Sequence, residues 1–150
     1  MEFKGSQTEK NVLAAFAGES QARNRYTYFA SVARKEGYEQ ISAIFLETAD
    51  NEKEHAKLFF NLLKGGEAEI RAGYPAGLIG DTAANLKAAA AGENFEWTTL
   101  YQNFAQAAKK EGLEQASQTF SQVAKVEKSH EARYLALLKN IQGGEVFKKD

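Results

Sequence analysis

Two Glu-x-x-His motifs are the residues whose types and spacing best fit a chemical role in this sequence. Glu52 and His55 form the first motif, and Glu127 and His130 form the second. Residues three apart in a helix project from the same face, so each motif would present a carboxylate and an imidazole together. Both groups are metal ligands. A single such pair is common on solvated helices, so the interpretation depends on whether these faces turn inward.

Three further glutamates lie within apolar helical stripes. Glu19 is the only charge in one core-facing stripe, and Glu93 and Glu96 interrupt the corresponding stripe of a later segment. An unpaired buried carboxylate costs on the order of several kcal/mol, and the group then tends to become neutral instead. Because five glutamates would share four inward faces, they need compensating positive charge.

A structural layer of ion pairs is the alternative to a metal site, and it would need inward-facing cations. Arg23 and Arg25 neighbour Glu19 in sequence but lie off its face of the helix. Lys53 and Lys128 each follow a glutamate directly and therefore point away from it. The sequence favours metal ions as the compensating charge.

The donor set indicates the metal and its arrangement. Seven donors are too many for one tetrahedral zinc, and mixed oxygen and nitrogen ligation suits iron or manganese. Two-metal carboxylate bundles take one Glu from each of two helices and Glu-x-x-His from each of the other two. We predict Glu52 and Glu127 as bridges and Glu19 and Glu93 as terminal ligands. The predicted ligands are Glu19, Glu52, His55, Glu93, Glu96, Glu127 and His130.

Long stretches rich in Ala, Glu, Lys, Gln and Leu must position these side chains, and such residues are good helix formers. Glycines at positions 37 and 112 indicate tight breaks between adjacent helices, and Asp81-Thr82 is predicted to cap the third helix. We therefore predict an all-α fold with four helices, at about 7–36, 38–64, 82–110 and 113–141.

The segment 65–81 holds the only proline and five glycines, and it is too long for a tight turn. It predicts a long crossover connection between two helical hairpins, as in a ferritin-like four-helix bundle. The hairpins also repeat one another, because residues 29–55 align with residues 104–130 at a constant offset of 75. Tyr26 and Tyr101 fall in the same register. We expect the two hairpins to form one domain over residues 1–150, with equivalent side chains meeting at one centre.

Composition excludes several classes of protein. With 43% hydrophobic residues, 26% charged residues and a net charge of −1, the 150-residue chain favours neither a nucleic-acid nor a membrane-surface partner. The absence of cysteine excludes disulfides, thiol catalysis and Cys-ligated clusters within this chain. No apolar run approaches the roughly 20 residues of a membrane-spanning helix, and the N-terminus lacks the apolar stretch of a signal peptide. The expected location is cytoplasmic.

Essentially the whole chain resembles the rubrerythrin family. The seven predicted ligands and the hairpin repeat agree with that family, as do the stretches 74–77, 88–94 and 145–147. Glu96, one turn beyond Glu93, departs from the general ferritin pattern and matches rubrerythrin. The resemblance implies a non-haem di-iron peroxidase that reduces hydrogen peroxide to water in defence against oxidative stress. It also implies two iron ions, Fe2+ or Fe3+, that are oxo- or hydroxo-bridged when oxidised.

The resemblance further implies roles for single residues. In the family, one iron is bound by the histidine equivalent to His55 when reduced, and it moves toward the extra glutamate, here Glu96, when oxidised. Ferric iron gains more from an anionic carboxylate than from a neutral imidazole, which gives that exchange a physical reason. Tyr26 and Tyr101 are expected to hydrogen-bond ligand carboxylates and to assist proton delivery. The implied catalytic residues are Glu96, His55, Tyr26 and Tyr101.

Rubrerythrins typically continue into a rubredoxin-like domain with four cysteines, whereas this sequence ends at Asp150 and has no cysteine. An external electron donor, such as a separate rubredoxin, is therefore expected. We also expect a homodimer, in which the long 65–81 connection would permit exchange of a hairpin. Three alternatives stay open: a ferroxidase or oxidase that reacts with dioxygen, an iron-storage protein, and a non-catalytic bundle.

Overall fold

The computed structural model of the chain describes residues 2–144, and the predicted family stretch at 145–147 lies outside that range. Within it every regular element is helical, and no strand occurs. The elements are α1 (Gln7–Lys35), α2 (Glu39–Leu63), α3 (Thr82–Phe95), the π segment (Glu96–Leu100), α4 (Tyr101–Lys110) and α5 (Glu114–Gln142). Because α3, the π segment and α4 follow one another without a break, they form one helical column. The described chain therefore has four columns, and the predicted all-α four-helix bundle is confirmed.

The helices begin and end where the predicted cap and the predicted glycine breaks place their ends. Asp81 caps α3 by accepting a hydrogen bond from the Ala84 N–H at 2.8 Å. Gly37 and Gly112 have φ angles of 91° and 75°, which only glycine adopts without strain, and they provide the tight breaks inside each hairpin. The predicted cap and both predicted breaks are confirmed.

The four columns pair as two helical hairpins. In the first hairpin, α1 packs along α2, and the Ser42 hydroxyl of α2 donates to the Ala30 carbonyl at 2.8 Å. In the second hairpin, α3 and α4 pack along α5, and the Ser117 hydroxyl donates to the Ala105 carbonyl at the same distance of 2.8 Å. These two bonds are 75 positions apart in the chain, so the sequence repeat corresponds to a structural repeat.

The connection between the hairpins lies along α1. Tyr74 donates from its hydroxyl to the Ala14 carbonyl at 2.8 Å, and the Gln21 side chain donates to the carbonyl of Pro75. Near the start of the connection, the Lys4 ammonium donates to the Gly65 carbonyl at 2.6 Å. The segment therefore has no regular secondary structure but is held at several points along its path.

Two separate apolar clusters form the core, each rich in aromatic rings. The first contains Phe29, Phe45 and Tyr134, and the second contains Phe59 and Phe120. In every column, the predicted metal ligands fall between residues of one cluster and residues of the other. The carboxylates and imidazoles thus occupy a polar layer between the two apolar clusters of the core.

The predicted helix 82–110 differs from the structure at one point, because the π segment interrupts it. A π turn accommodates one extra residue in a helix. Tyr26 and Tyr101 are 75 positions apart, whereas Glu19 and Glu93 are 74 apart. The third column therefore has one more residue than α1 between these two landmarks, and the π segment takes it up so that both ends still face the core.

Candidate metal centre

Each of the four columns contributes one fully buried carboxylate to the polar layer. Glu19, Glu52, Glu93 and Glu127 are at most 1% exposed. His55 and His130 lie one turn after Glu52 and Glu127 and are also buried. Ordinary glutamates are almost never fully buried without a partner, so this layer requires an explanation.

The ligand atoms of this layer form two overlapping groups. In each group, one oxygen or nitrogen from each of four side chains lies within 4.8 Å of the others. Glu52 and Glu127 belong to both groups, which is the placement that bridging ligands require. The first group is Glu19, Glu52, His55 and Glu127, and the second is Glu52, Glu93, Glu127 and His130.

The imidazoles point their Nδ1 atoms at carboxylates of the opposite hairpin. His55 Nδ1 is 2.9 Å from Glu127 Oε1, and His130 Nδ1 is 3.1 Å from Glu52 Oε1. Even so, both Nδ1 atoms and both oxygens of Glu52 and Glu127 lack a directed hydrogen bond. Metal-ligand atoms that all point at the position of one ion would show such short distances without hydrogen-bond geometry.

The alternative of a structural ion-pair layer finds no support among residues 2–144. No lysine or arginine in that range forms an ion pair with a glutamate of the layer. Arg25 instead lies over the rings of Tyr26 and Phe29, each 5.7 Å from its guanidinium carbon. Unpartnered buried oxygens and nitrogens fit a bound cation, and the mixed carboxylate and imidazole set fits iron or manganese.

Burial controls the protonation of the carboxylates. It raises the pKa of Glu52 and of Glu127 well above the usual range, and the nearby Glu19 adds to the shift by charge repulsion. For Glu19 burial acts in the same direction, but the close Glu52 and His55 side chains and the hydrogen bond from Tyr101 outweigh it and lower the pKa. The layer therefore holds protons that a bound cation would displace.

Two buried tyrosines support the carboxylates from the other hairpin. Tyr26 donates from its hydroxyl to Glu93 Oε1, and Tyr101 donates to Glu19 Oε1, both at 2.7 Å. Burial, followed by repulsion from the neighbouring glutamates, raises the pKa of both tyrosines well above the usual range. Both hydroxyls therefore remain donors, and they fix the orientation of the glutamates they contact.

Glu96 stands apart from the other predicted ligands. It is the first residue of the π segment and belongs to neither donor group. Its Oε2 atom is buried without a hydrogen-bond partner, and burial raises its pKa well above the usual range, followed by repulsion from Glu19 and Glu93. Glu96 also lines an open groove of about 1430 Å³ between α1, the connection and α3–α4, together with Tyr26 and Tyr101.

Two polar contacts beside the layer were not predicted. The Asn51 side-chain amide lies 3.1 Å from His130 Nε2, and the Trp97 indole donates to Glu131 Oε1 at 2.7 Å. Asn51 directly precedes Glu52 and so lies off the helical face on which the ligands were sought. A comparison of the two repeats does single out Asn51, because the equivalent residue Val126 is apolar. Trp97 is half-buried and packs against the second apolar cluster.

Comparison with known proteins is consistent with this centre. The family model described as rubrerythrin matches residues 10–138. The chain is 63% identical over 147 residues to the rubrerythrin of Porphyromonas gingivalis, a match that covers 98% of this chain and 74% of that protein. This chain belongs to the rubrerythrin family. The resemblance predicted from the sequence is thereby confirmed.

Solved structures place this rubrerythrin-family chain in the ferritin-like fold. A nigerythrin in its fully reduced, all-ferrous state superposes with a TM-score of 0.80 at 34% identity, covering 93% of this chain and 72% of that one. Symerythrin from Cyanophora paradoxa, reduced with dithionite, has a TM-score of 0.80 at 23% identity, covering 91% and 86%. The second likeness shows the fold alone. The predicted ferritin-like arrangement of two hairpins and a long crossover is confirmed.

Proposed function

We propose that this chain is a non-haem di-iron peroxidase, which reduces hydrogen peroxide to water with electrons from an external donor such as rubredoxin. The observation that supports this most is the pair of buried donor groups that share Glu52 and Glu127 and have no lysine or arginine partner within residues 2–144. Reduction of one hydrogen peroxide to two waters consumes two electrons and two protons, so the centre must handle both.

The donors divide naturally between two metal ions. We assign Glu19 and His55 to one ion and Glu93 and His130 to the other, with Glu52 and Glu127 shared. When bound, a pair of iron ions supplies the two electrons by passing from the ferrous to the ferric state. Four carboxylates against two divalent cations leave the buried layer electrically neutral, which removes the main cost of burying it.

Protons and substrate meet at Glu96. Its raised pKa keeps a proton on a buried carboxyl at the edge of the groove, where a small molecule enters from solvent. Such a group suits protonation of the oxygen that leaves when the peroxide bond breaks. Glu96 is also the proposed exchangeable ligand, since it is the one predicted ligand outside both groups. Tyr26 and Tyr101 hold Glu93 and Glu19 in place during the reaction.

Stopped-flow oxidation of the anaerobically reduced, iron-loaded protein tests the proposal. Oxidation by hydrogen peroxide should be faster than oxidation by dioxygen by a factor of about 100 or more, or about 2.7 kcal/mol in barrier. If dioxygen is equal or faster, the peroxidase proposal is wrong and a ferroxidase or oxidase replaces it. A protein that retains no stoichiometric metal in iron-replete conditions would be a non-catalytic bundle.

Glu96→Ala tests the role of the extra acid. It should slow oxidation by peroxide while both irons stay bound, since the two donor groups remain complete without it. Thr98→Ala is the matched control, because Thr98 is an exposed residue of the same π segment. Wild-type kinetics in Glu96→Ala would remove Glu96 from the mechanism.

Assembly and location complete the proposal. No helix among residues 2–144 is long and apolar enough to cross a bilayer. We propose a cytoplasmic homodimer, and sedimentation velocity tests its size. A multi-subunit shell would instead favour iron storage.

A further inference from the structure

The two histidines of the centre are equivalent in the repeat, but their outer nitrogens have different surroundings. The side-chain nitrogen Nδ2 of Asn51 on α2 lies 3.1 Å from His130 Nε2. No hydrogen-bond partner for His55 Nε2 occurs in residues 2–144. The residue that stands for Asn51 in the second hairpin is Val126, which carries no polar side-chain atom.

The chemistry of imidazole makes this difference matter. A neutral imidazole that gives Nδ1 to a metal ion carries its hydrogen on Nε2, so Nε2 must donate. A half-turn of the Asn51 amide puts its oxygen where its nitrogen lies, so that Asn51 can accept this hydrogen bond, whereas a valine side chain cannot. Rotation of the His130 ring away from the centre would break this bond. Rotation of the His55 ring breaks no bond to the described protein at Nε2, and the His55 side chain is also slightly more exposed, at 9% against 5%.

The second hairpin also provides one more acid than the first. Glu96 belongs to neither donor group, and its buried Oε2 atom has no hydrogen-bond partner. The residue of the first hairpin that stands for Glu96 is Ala22, so only one of the two half-sites has a spare carboxylate.

We propose that Asn51 is a positioning residue that makes His130 the retained imidazole ligand, and that Val126 leaves His55 the replaceable one. This inference rests on the proposed function, because it assigns the order in which the proposed ligands give up a metal ion. It identifies a residue outside both donor groups as the source of the asymmetry between two otherwise repeated half-sites.

Reciprocal substitutions between the repeats test the proposal. Asn51→Val copies the second hairpin, Val126→Asn copies the first, and the double variant exchanges them. Asn51→Asp is the matched control, since it keeps an oxygen acceptor in the same place. Each protein is loaded anaerobically with ferrous iron, and the release of both ions to a colorimetric chelator is followed as two phases.

Asn51→Val should speed the release of one ion by about 10- to 100-fold, the usual effect of removing a partner of a ligating histidine. Asn51→Asp should release iron at nearly the wild-type rate, and Val126→Asn should slow the faster wild-type phase. Equal rates in wild type and Asn51→Val would overturn the proposal. So would equal acceleration by Asn51→Val and Asn51→Asp, because the effect would then come from packing and not from the acceptor.

Crystal structures of the metal-free proteins separate this proposal from the proposed function. In Asn51→Val, the His130 ring should leave its wild-type orientation while His55 is unchanged, even if iron binding itself fails. An unchanged His130 ring in that variant would overturn the role of Asn51. Iron-loaded wild type with no redox reaction would contradict the peroxidase proposal and leave the ring orientations as an independent result.

Discussion

The two hairpins contribute corresponding halves of the candidate metal centre, but the second hairpin has one residue more between its first glutamate and its tyrosine. Before the centre the equivalent residues are 74 positions apart, as the helix starts show: Thr8 N–H donates to Glu111 Oε1 at 2.8 Å, and Thr82 N–H donates to Glu36 Oε1 at 2.9 Å. After the centre, the offset is 75. The additional residue falls in the π segment, so an insertion in a packed helix has been absorbed within one turn.

The insertion coincides with the main chemical difference between the hairpins. Glu96 begins the π segment, and the residue 74 positions earlier is Ala22, which is buried in the first apolar cluster. The first hairpin thus gives the centre two acids and the second gives it three. A ligand exchange at only one of two metal ions would need such an extra acid on one side of an otherwise symmetric site.

Deletion of Ala22 from α1 should have the largest effect, because α1 has no π segment that could absorb the loss. Everything beyond the deletion would turn by about 100° relative to Glu19, which breaks the bond from Tyr26 to Glu93. We expect destabilisation by roughly 4 kcal/mol or more and loss of stoichiometric metal, measured by thermal unfolding and metal analysis. Deletion of Thr98 is the matched control, because the π segment can return to an α-helix and keep Tyr101 facing Glu19. Equal losses in the two deletion variants would show that the π segment does not absorb the inserted residue.

The pH dependence of the stability of the metal-free protein should be the second-largest effect. Burial holds the pKa of Glu52, Glu96 and Glu127 above the usual value of 4.5, so the folded state binds more protons than the unfolded state. Their contribution is fully present below pH 4.5 and is lost as the pH rises through the folded-state pKa values. The free energy of unfolding of the metal-free protein, measured with urea, should therefore fall as the pH rises above about 4.5. Metal loading should reverse this trend, since the bound form needs deprotonated carboxylates. A rise with pH in the metal-free protein would contradict the assignment.

Tyr26→Phe and Tyr101→Phe compare the two half-sites directly. Each removes a buried hydrogen bond to a carboxylate, and a bond to a charged group is worth about 1.5–3 kcal/mol. Nearly equal losses in urea unfolding of the metal-loaded protein are expected, because both bonds are 2.7 Å long. Phe29→Leu, within the first apolar cluster, controls for altered aromatic packing. Losses that differ by more than about 1 kcal/mol would show that the half-sites are energetically unlike.

Glu36→Gln and Glu111→Gln should have the smallest effects. Each carboxylate sits at the N-terminus of a helix in the other hairpin, where negative charge is worth about 0.3–1 kcal/mol. Glu111 accepts from both Gln7 N–H and Thr8 N–H, so its substitution should cost more than that of Glu36. Urea midpoints at low and high salt measure the difference. Identical midpoints at low salt would contradict the expected ranking.

Most of the fold could be predicted from the sequence because periodicity, glycine breaks and caps act locally. The predicted helix 38–64 became Glu39–Leu63, and the predicted helix 7–36 became Gln7–Lys35. The π segment was not predicted, because helix propensity does not distinguish its hydrogen bonding from that of an α-helix. The informative signal was the change of offset from 74 to 75 between the repeats, which only a comparison on both sides of Glu93 reveals.

The residues of the candidate site could be predicted where a charged residue interrupts the apolar face of a helix. That signal found Glu19 and Glu93, and the structure brings them together with the two Glu-x-x-His motifs. It also found Glu96, which the structure places beside the groove and outside both donor groups. Asn51 was missed because a neutral side chain next to a ligand leaves no mark on hydrophobic periodicity. Its contact with His130 depends on how two hairpins dock, which no local pattern contains.

The sharing of donors between hairpins has a consequence for the fate of the protein in a cell. Each group takes three side chains from one hairpin and one from the other, so neither hairpin completes a group alone. Metal binding would therefore contribute directly to docking of the hairpins, and an empty centre would raise the population in which they separate. In that open form, residues 64–81 and the inner faces would become available to proteases. Degradation would then select the empty protein over the loaded one, and metal supply would set its abundance.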